Sequence, residues 1–194
     1  MRVRRVALAA DVALKLALVG LLVFAALRQD LPQFHNKSMT GRAIGYPLVA
    51  LVVPAVWWLL SRRRPRPFPV AVDMLLVAPF VIDMAGNAAN LYDTIDWWDD
   101  VNHFVNWAIL VAGFAVLLLG TTLDRWPLFG LCVGFGATTA ILWELLEYVT
   151  FIRHSPELKT AYHDTLGDLM LGLLGSVVSG AAVAWLGRRR VATS

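Results

Sequence analysis

The stretch Asp96-Trp97-Trp98-Asp99-Asp100-Val101-Asn102-His103-Phe104-Val105-Asn106-Trp107 runs without a break into an apolar segment that continues to Gly120. Acids, an imidazole and three indoles stand at the mouth of a segment with the length and composition of a membrane helix. Ionisable side chains at membrane depth are costly and face a bundle interior or a wet cavity, so this stretch marks a class of fold and a candidate site together.

The surrounding composition agrees. Of 194 residues 58% are hydrophobic and 16% charged, and the mean hydropathy is +0.63. That is too apolar for a water-soluble domain of this length and implies an all-α, polytopic membrane helix bundle, a single integral membrane domain over 1–194. The net charge of +3 comes from arginines in short clusters beside apolar runs, where they orient helices. No nucleic-acid partner is expected from such a pattern. The lone Cys132 lies within an apolar run, can form no internal disulfide, and reads as packing.

Outward from the opening stretch, the apolar runs predict six transmembrane helices at about 6–27, 43–60, 68–91, 101–120, 128–151 and 164–186. The first follows Met1-Arg2-Val3-Arg4-Arg5 and is long, without a clear cleavage signal, so it is expected to be retained as a helix. Its Asp11 and Lys15 stand four apart and can neutralise each other on one face. The second ends in Trp57-Trp58, suited to a membrane interface. Charge and proline in Ser61-Arg62-Arg63-Arg64-Pro65-Arg66-Pro67 stop it. Arg188-Arg189-Arg190 stops the sixth.

Six spans put both termini on one side. The termini and the 61–67 and 121–127 linkers hold 11 lysines and arginines, against 5 in the other three loops. The basic set is therefore expected in the cytoplasm, in a bacterial inner membrane, with the Trp97 and Tyr162 loops outside.

This topology brings together four helix ends that carry the unusual residues. Asp83, Asp93, Asp96, Asp99, Asp100, Glu144, Glu147, Glu157, Asp164 and Asp168 make up ten of the chain's 14 acids. Their spacing is helical: Asp83, Asn87 and Asn90 share a face of the third helix, and Asp99 or Asp100 shares one with His103 and Asn106 on the fourth. Glu144 pairs with Glu147 on the fifth helix, and Asp164 with Asp168 on the sixth. Asp99, Asp100 and Asp164 also suit helix N-caps, whereas Asp168 and Glu144 lie too deep for that. Two glutamates three apart repel if both ionise, and a bound cation or a shared proton resolves this.

One histidine with several carboxylates suits one divalent metal ion, zinc, manganese, iron or magnesium. Glu147 and Asp168 are the candidate catalytic bases, and Asp83, Asn87, Asn90 and Asn106 the expected pocket lining. His163 to Asp168 also fits the H-x4-D string of glycerolipid acyltransferases, by coincidence at a helix entrance. G-x-S-x-G, H-E-x-x-H and P-loop motifs are absent from the sequence.

Trp98-Asp99-Asp100-Val101-Asn102-His103-Phe104, Glu144-Leu145-Leu146-Glu147, and Asp164-Thr165-Leu166-Gly167-Asp168 with Gly172 and Gly175 together resemble the YjdF-type inner-membrane proteins, an uncharacterised bacterial family. More distantly they resemble the VanZ-like superfamily, which includes a teicoplanin-resistance protein. The VanZ resemblance implies that Asp100, His103, Glu144 and Asp164 hold family positions, and on that ground His103, Glu144, Asp100 and Asp164 are the expected metal ligands. Glu147 stands where that pattern has glutamine and Asp168 where it has asparagine.

The leading functional expectation is a membrane-embedded, metal-assisted enzyme acting on an envelope lipid or lipid-linked intermediate, with membrane lipid as its partner. A small-molecule or proton-coupled transporter is the second class, since acids and histidine within helices suit a relay. The third is a non-catalytic scaffold or accessory subunit whose polar stripes hold helices together.

Overall fold

Every long apolar run forms a helix, and the boundaries fall where proline, charge and turn residues interrupt it. The computed structural model describes residues 2–150 and 152–187; the arginine stop at 188–190, the helix end expected at 151 and the side chains of Arg2, Glu157 and Leu186 lie outside what it describes. Among the described residues the chain is all-helical, with six spans long and apolar enough to cross a membrane.

Two units divide the chain, Met1–Asp93 and Thr94–Ser194. The first holds α1 (Arg2–Leu27), α2 (Met39–Ala50), α3 (Val52–Ser61) and α4 (Val70–Ala88), with the short α5 (Leu91–Thr94) at its end. The second holds α6 (Trp98–Leu118), α7 (Arg125–Thr150) and α8 (Ala161–Ala182), the last running into a π turn at Val183–Gly187.

Several boundaries differ from the expected ones for local reasons. The second span, Met39–Ser61, is broken at Leu51 into α2 and α3. Pro54 has no N–H to offer the carbonyl of Ala50, four residues back, so the helix ladder lapses there. The third helix ends at Ala88, short of 91, because Asn90 adopts φ 58° and its N–H bonds to the Asn87 carbonyl at 3.0 Å. Asparagine tolerates this left-handed conformation. Asn90 thus terminates the helix. The fourth and sixth helices start three residues earlier than expected, at Trp98 and Ala161. Their cap residues are Trp97 and Thr160, neither with a side-chain capping bond, so Asp99, Asp100 and Asp164 sit inside the first turns and are not N-caps.

Burial is inverted relative to a water-soluble protein. Leu142, Leu145 and Leu146 on α7 are more than half exposed, while Asp73 is 0% and Asp168 5% exposed. An apolar exterior over buried acids is what a lipid environment selects.

In the first unit the buried acids are paired. Lys15 donates to Asp11 Oδ2 at 2.8 Å, as the spacing predicts, and also to Asp73 Oδ2 of α4. Asp83 accepts from Arg42 Nε at 3.0 Å, Tyr46 Oη at 2.6 Å and Tyr92 Oη at 2.8 Å. Lys37 binds Asp93 at 2.6 Å. In the second unit Val111, Ala115, Leu128, Cys132 and Ala184 form an apolar core, with Phe114 stacked on Phe135 at 4.3 Å. Cys132 is fully buried there, as packing.

Candidate metal centre

The site in the second unit is built where α6 and α8 approach closely. Two glycines of α8 make this possible. A Cβ on Gly175 would meet the Phe104 carbonyl oxygen and lie 3.2 Å from the Ala108 nitrogen; one on Gly172 would stand 2.6 Å from the Trp107 ring. Backbone atoms cannot move aside as a flexible side chain can, so Gly175 sets the helix separation. Gly175→Ala is expected to destabilise the protein by about 1–3 kcal/mol, as overpacking does. Gly167→Ala, with nothing within 4 Å of its added carbon, is the control in the same thermal melts.

This approach puts His103 of α6 against Asp168 of α8 and Glu144 of α7. Its Nε2 lies 3.6 Å from Asp99 Oδ1 and 3.6 Å from Asp168 Oδ1, and its Nδ1 lies 3.9 Å from Glu144 Oε1. Two triads result, Asp99–His103–Asp168 and His103–Glu144–Glu147, each with its ligand atoms within 4.8 Å of one another. Glu144, 7% exposed, also accepts a hydrogen bond from the Thr165 hydroxyl of α8.

The distances carry chemical meaning. A separation of 3.6 Å is too long for a direct hydrogen bond. It fits two ligands of one cation: at bonds of about 2.1 Å, atoms 3.6 Å apart subtend roughly 118° at the ion. Burial is graded across the site, with Glu144 and Asp168 buried, His103 and Asp99 partly exposed, and Glu147 half-buried. The deep end holds the carboxylates that water reaches least, and the outer end offers Glu147 and Asp99 to an incoming molecule.

The expected ligands divide. His103 and Glu144 fall in the cluster, as do the expected bases Glu147 and Asp168. Asp100 and Asp164 belong to neither triad and are exposed. Asp99, four residues from His103, occupies the position given to Asp100, three residues away. Spacings of three and four share one helix face, so periodicity could not choose between them.

Asn106 lies one turn below His103 and donates to Asn102 Oδ1 at 2.8 Å; its own Oδ1 is buried without a hydrogen-bond partner. Asp83 and Asn87 are engaged within the first unit, where Asn87 Nδ2 donates to the Asp83 carbonyl at 3.0 Å. Arg42 and Tyr46, which hold Asp83, were missed. Their signal was present as an Arg-x-x-x-Tyr spacing on one face of the second helix. His163 is exposed, edge-on to Tyr162 at 5.6 Å and in neither triad, so nothing joins it to Asp168 as the H-x4-D string would require.

Residues 10–190 match the model of a family described as predicted membrane protein (DUF2238). Neither a curated protein nor a solved structure matches the chain.

Proposed function

Since the chain belongs to the DUF2238 family of predicted membrane proteins, the family of the YjdF-type motifs, we propose that it is a metal-assisted membrane enzyme acting on an envelope lipid or lipid-linked intermediate. The observation that carries this reading is the His103 imidazole held between carboxylates of three helices at separations suited to cation ligation. The lipid class of substrate follows from the apolar surface around the site and from the distant VanZ-like resemblance.

In this reading Asp99, His103 Nε2 and Asp168 hold one divalent cation. Glu144 Oε1 stands 3.9 Å from the opposite ring nitrogen, and on closing to hydrogen-bond distance it would orient the imidazole, the role carboxylates play behind metal-bound histidines. Asp168 then serves as a ligand in place of the base expected of it. Glu147, half-buried beside His103, is the remaining carboxylate and the candidate general base. A divalent cation supplies Lewis acidity toward a phosphoryl or acyl oxygen. The ligand set of one imidazole and two carboxylates is compatible with zinc, manganese or iron.

Turnover of extracted envelope lipids by metal-loaded and metal-stripped protein tests the proposal. Product from the loaded protein alone is the expected result; equal product from both, or none from either, overturns it. Orientation is a separate expectation, with the site in the outer half of a bacterial inner membrane and both termini inside. In a Cys132→Ser background, Thr94→Cys should react with an impermeant thiol reagent in intact cells and Arg64→Cys should not. Reversed labelling would place the site on the cytoplasmic side.

A further inference from the structure

Lys15, Asp11 and Asp73 form a second charged cluster, confined to the first unit and unused by the proposed chemistry. Asp11 is 3% and Asp73 0% exposed. The Lys15 ammonium bonds one oxygen of each carboxyl, and the other oxygens, Asp11 Oδ1 and Asp73 Oδ1, are buried with no hydrogen-bond partner. The two carboxyls also lie within hydrogen-bonding reach of each other, although an ionised carboxylate has no hydrogen to donate. Two acceptor-only groups thus meet at one ammonium.

Two carboxylates and one ammonium leave one unbalanced negative charge in a buried site, which is strongly disfavoured. Among the described residues the neighbouring elements do not supply the balance. On α1 the remaining described cations, Arg4 and Arg5, are exposed, and so are Arg62, Arg63, Arg64 and Arg66 in the linker before α4. Arg42 of α2 is committed to Asp83, the other acid of α4, and α3 carries no charged residue. The Phe68 ring lies 5.8 Å from the Lys15 nitrogen, whose side chain is 27% exposed, while both carboxyls are buried.

We propose that Asp11 and Asp73 bind one exchangeable proton between them, with Lys15 as the fixed counter-charge. A metal cation fits poorly. The ammonium repels it, only two carboxylate oxygens are uncommitted, and sodium-like hard cations require several oxygens. A proton needs two. The balance is simple: the proton enters as H⁺ on one carboxyl and is shared with the other, the cluster passes from a net charge of minus one to zero, and no covalent or redox change accompanies it.

Infrared spectra of the full chain in lipid nanodiscs, compared in H₂O and D₂O, test this by the C=O band of a protonated carboxyl. Difference spectra should show one wild-type carboxyl band lost in both Asp11→Asn and Asp73→Asn, because either change leaves one carboxylate balanced by Lys15. Glu144→Gln should retain it. Lys15→Met should gain a second carboxyl band, since both acids must then be neutralised, and this variant covers the case in which the asparagine variants fail to fold. A band unchanged in both asparagine variants, or no gain in Lys15→Met, overturns the proposal. Loss of the wild-type band on adding sodium at constant pH would reassign the site to a metal cation and overturns it equally.

Discussion

Loading the purified protein with its divalent cation should raise the melting temperature by about 5–11 °C at a hundredfold excess over Kd. An ion bound only by the folded state contributes about 2.7 kcal/mol at that excess, and about 2–4 °C follows from each kcal/mol in a chain of this size. His103→Ala should abolish the gain, because this ring reaches the carboxylates of α7 and α8 together. Asp168→Asn should remove most of it, and Asp99→Asn part of it. The decisive contrast is Asp100→Asn. Asp100 is exposed and outside both triads, so its substitution should leave the shift intact, whereas loss of the shift there and not in Asp99→Asn would reverse the assignment of the ligand. Equal melting temperatures for stripped and loaded protein would remove the cation from the proposed function.

The other large effect is expected in the first unit. Asp83→Asn should lower stability by about 3–5 kcal/mol, the usual cost of stranding one partner of a buried ion pair, or about 6–20 °C in the melt. The side chains of Arg42 and Asp83 are 12% and 11% exposed, and the carboxylate also accepts from Tyr46 and Tyr92. The substitution would leave the guanidinium with the Tyr46 hydroxyl and the Lys37 carbonyl, neither of them charged. Replacing both partners by apolar residues of similar volume, Arg42→Met with Asp83→Leu, should recover much of the loss, since no buried charge then remains unpaired. A melt for Asp83→Asn within about 1 °C of wild type would mean that water reaches the pair.

The six spans and the polar stripes of the last four were legible from residue order alone, whereas the short helical turns at 32–34, 91–94 and 152–159 were not. The spans and stripes follow from run length, from the 3.6-residue period and from the cost of placing charge in an apolar setting, all local quantities. His103, Glu144, Glu147 and Asp168, which the structure brings close together, were singled out the same way, as polar residues in positions where an apolar run should have had none. Local quantities also located the Asp11–Lys15 pair, four residues apart on α1.

Tertiary packing decided the remainder, because it concerns which faces meet. Asp99 and Asp100 are equivalent by periodicity, and only the setting of α6 against α8 at Gly175 turns one toward Asp168 and the other to the surface. Asp83 carries the same acid signature as Asp168, yet Arg42, 41 residues earlier, claims it, and no pattern within a single helix could reveal that partner. Lys15 likewise gains Asp73 from 58 residues away, which turns a neutral pair into a triad with one charge too many. A helix turn displays its polar groups in its own sequence, whereas the partner that neutralises them is chosen by the packing of distant segments.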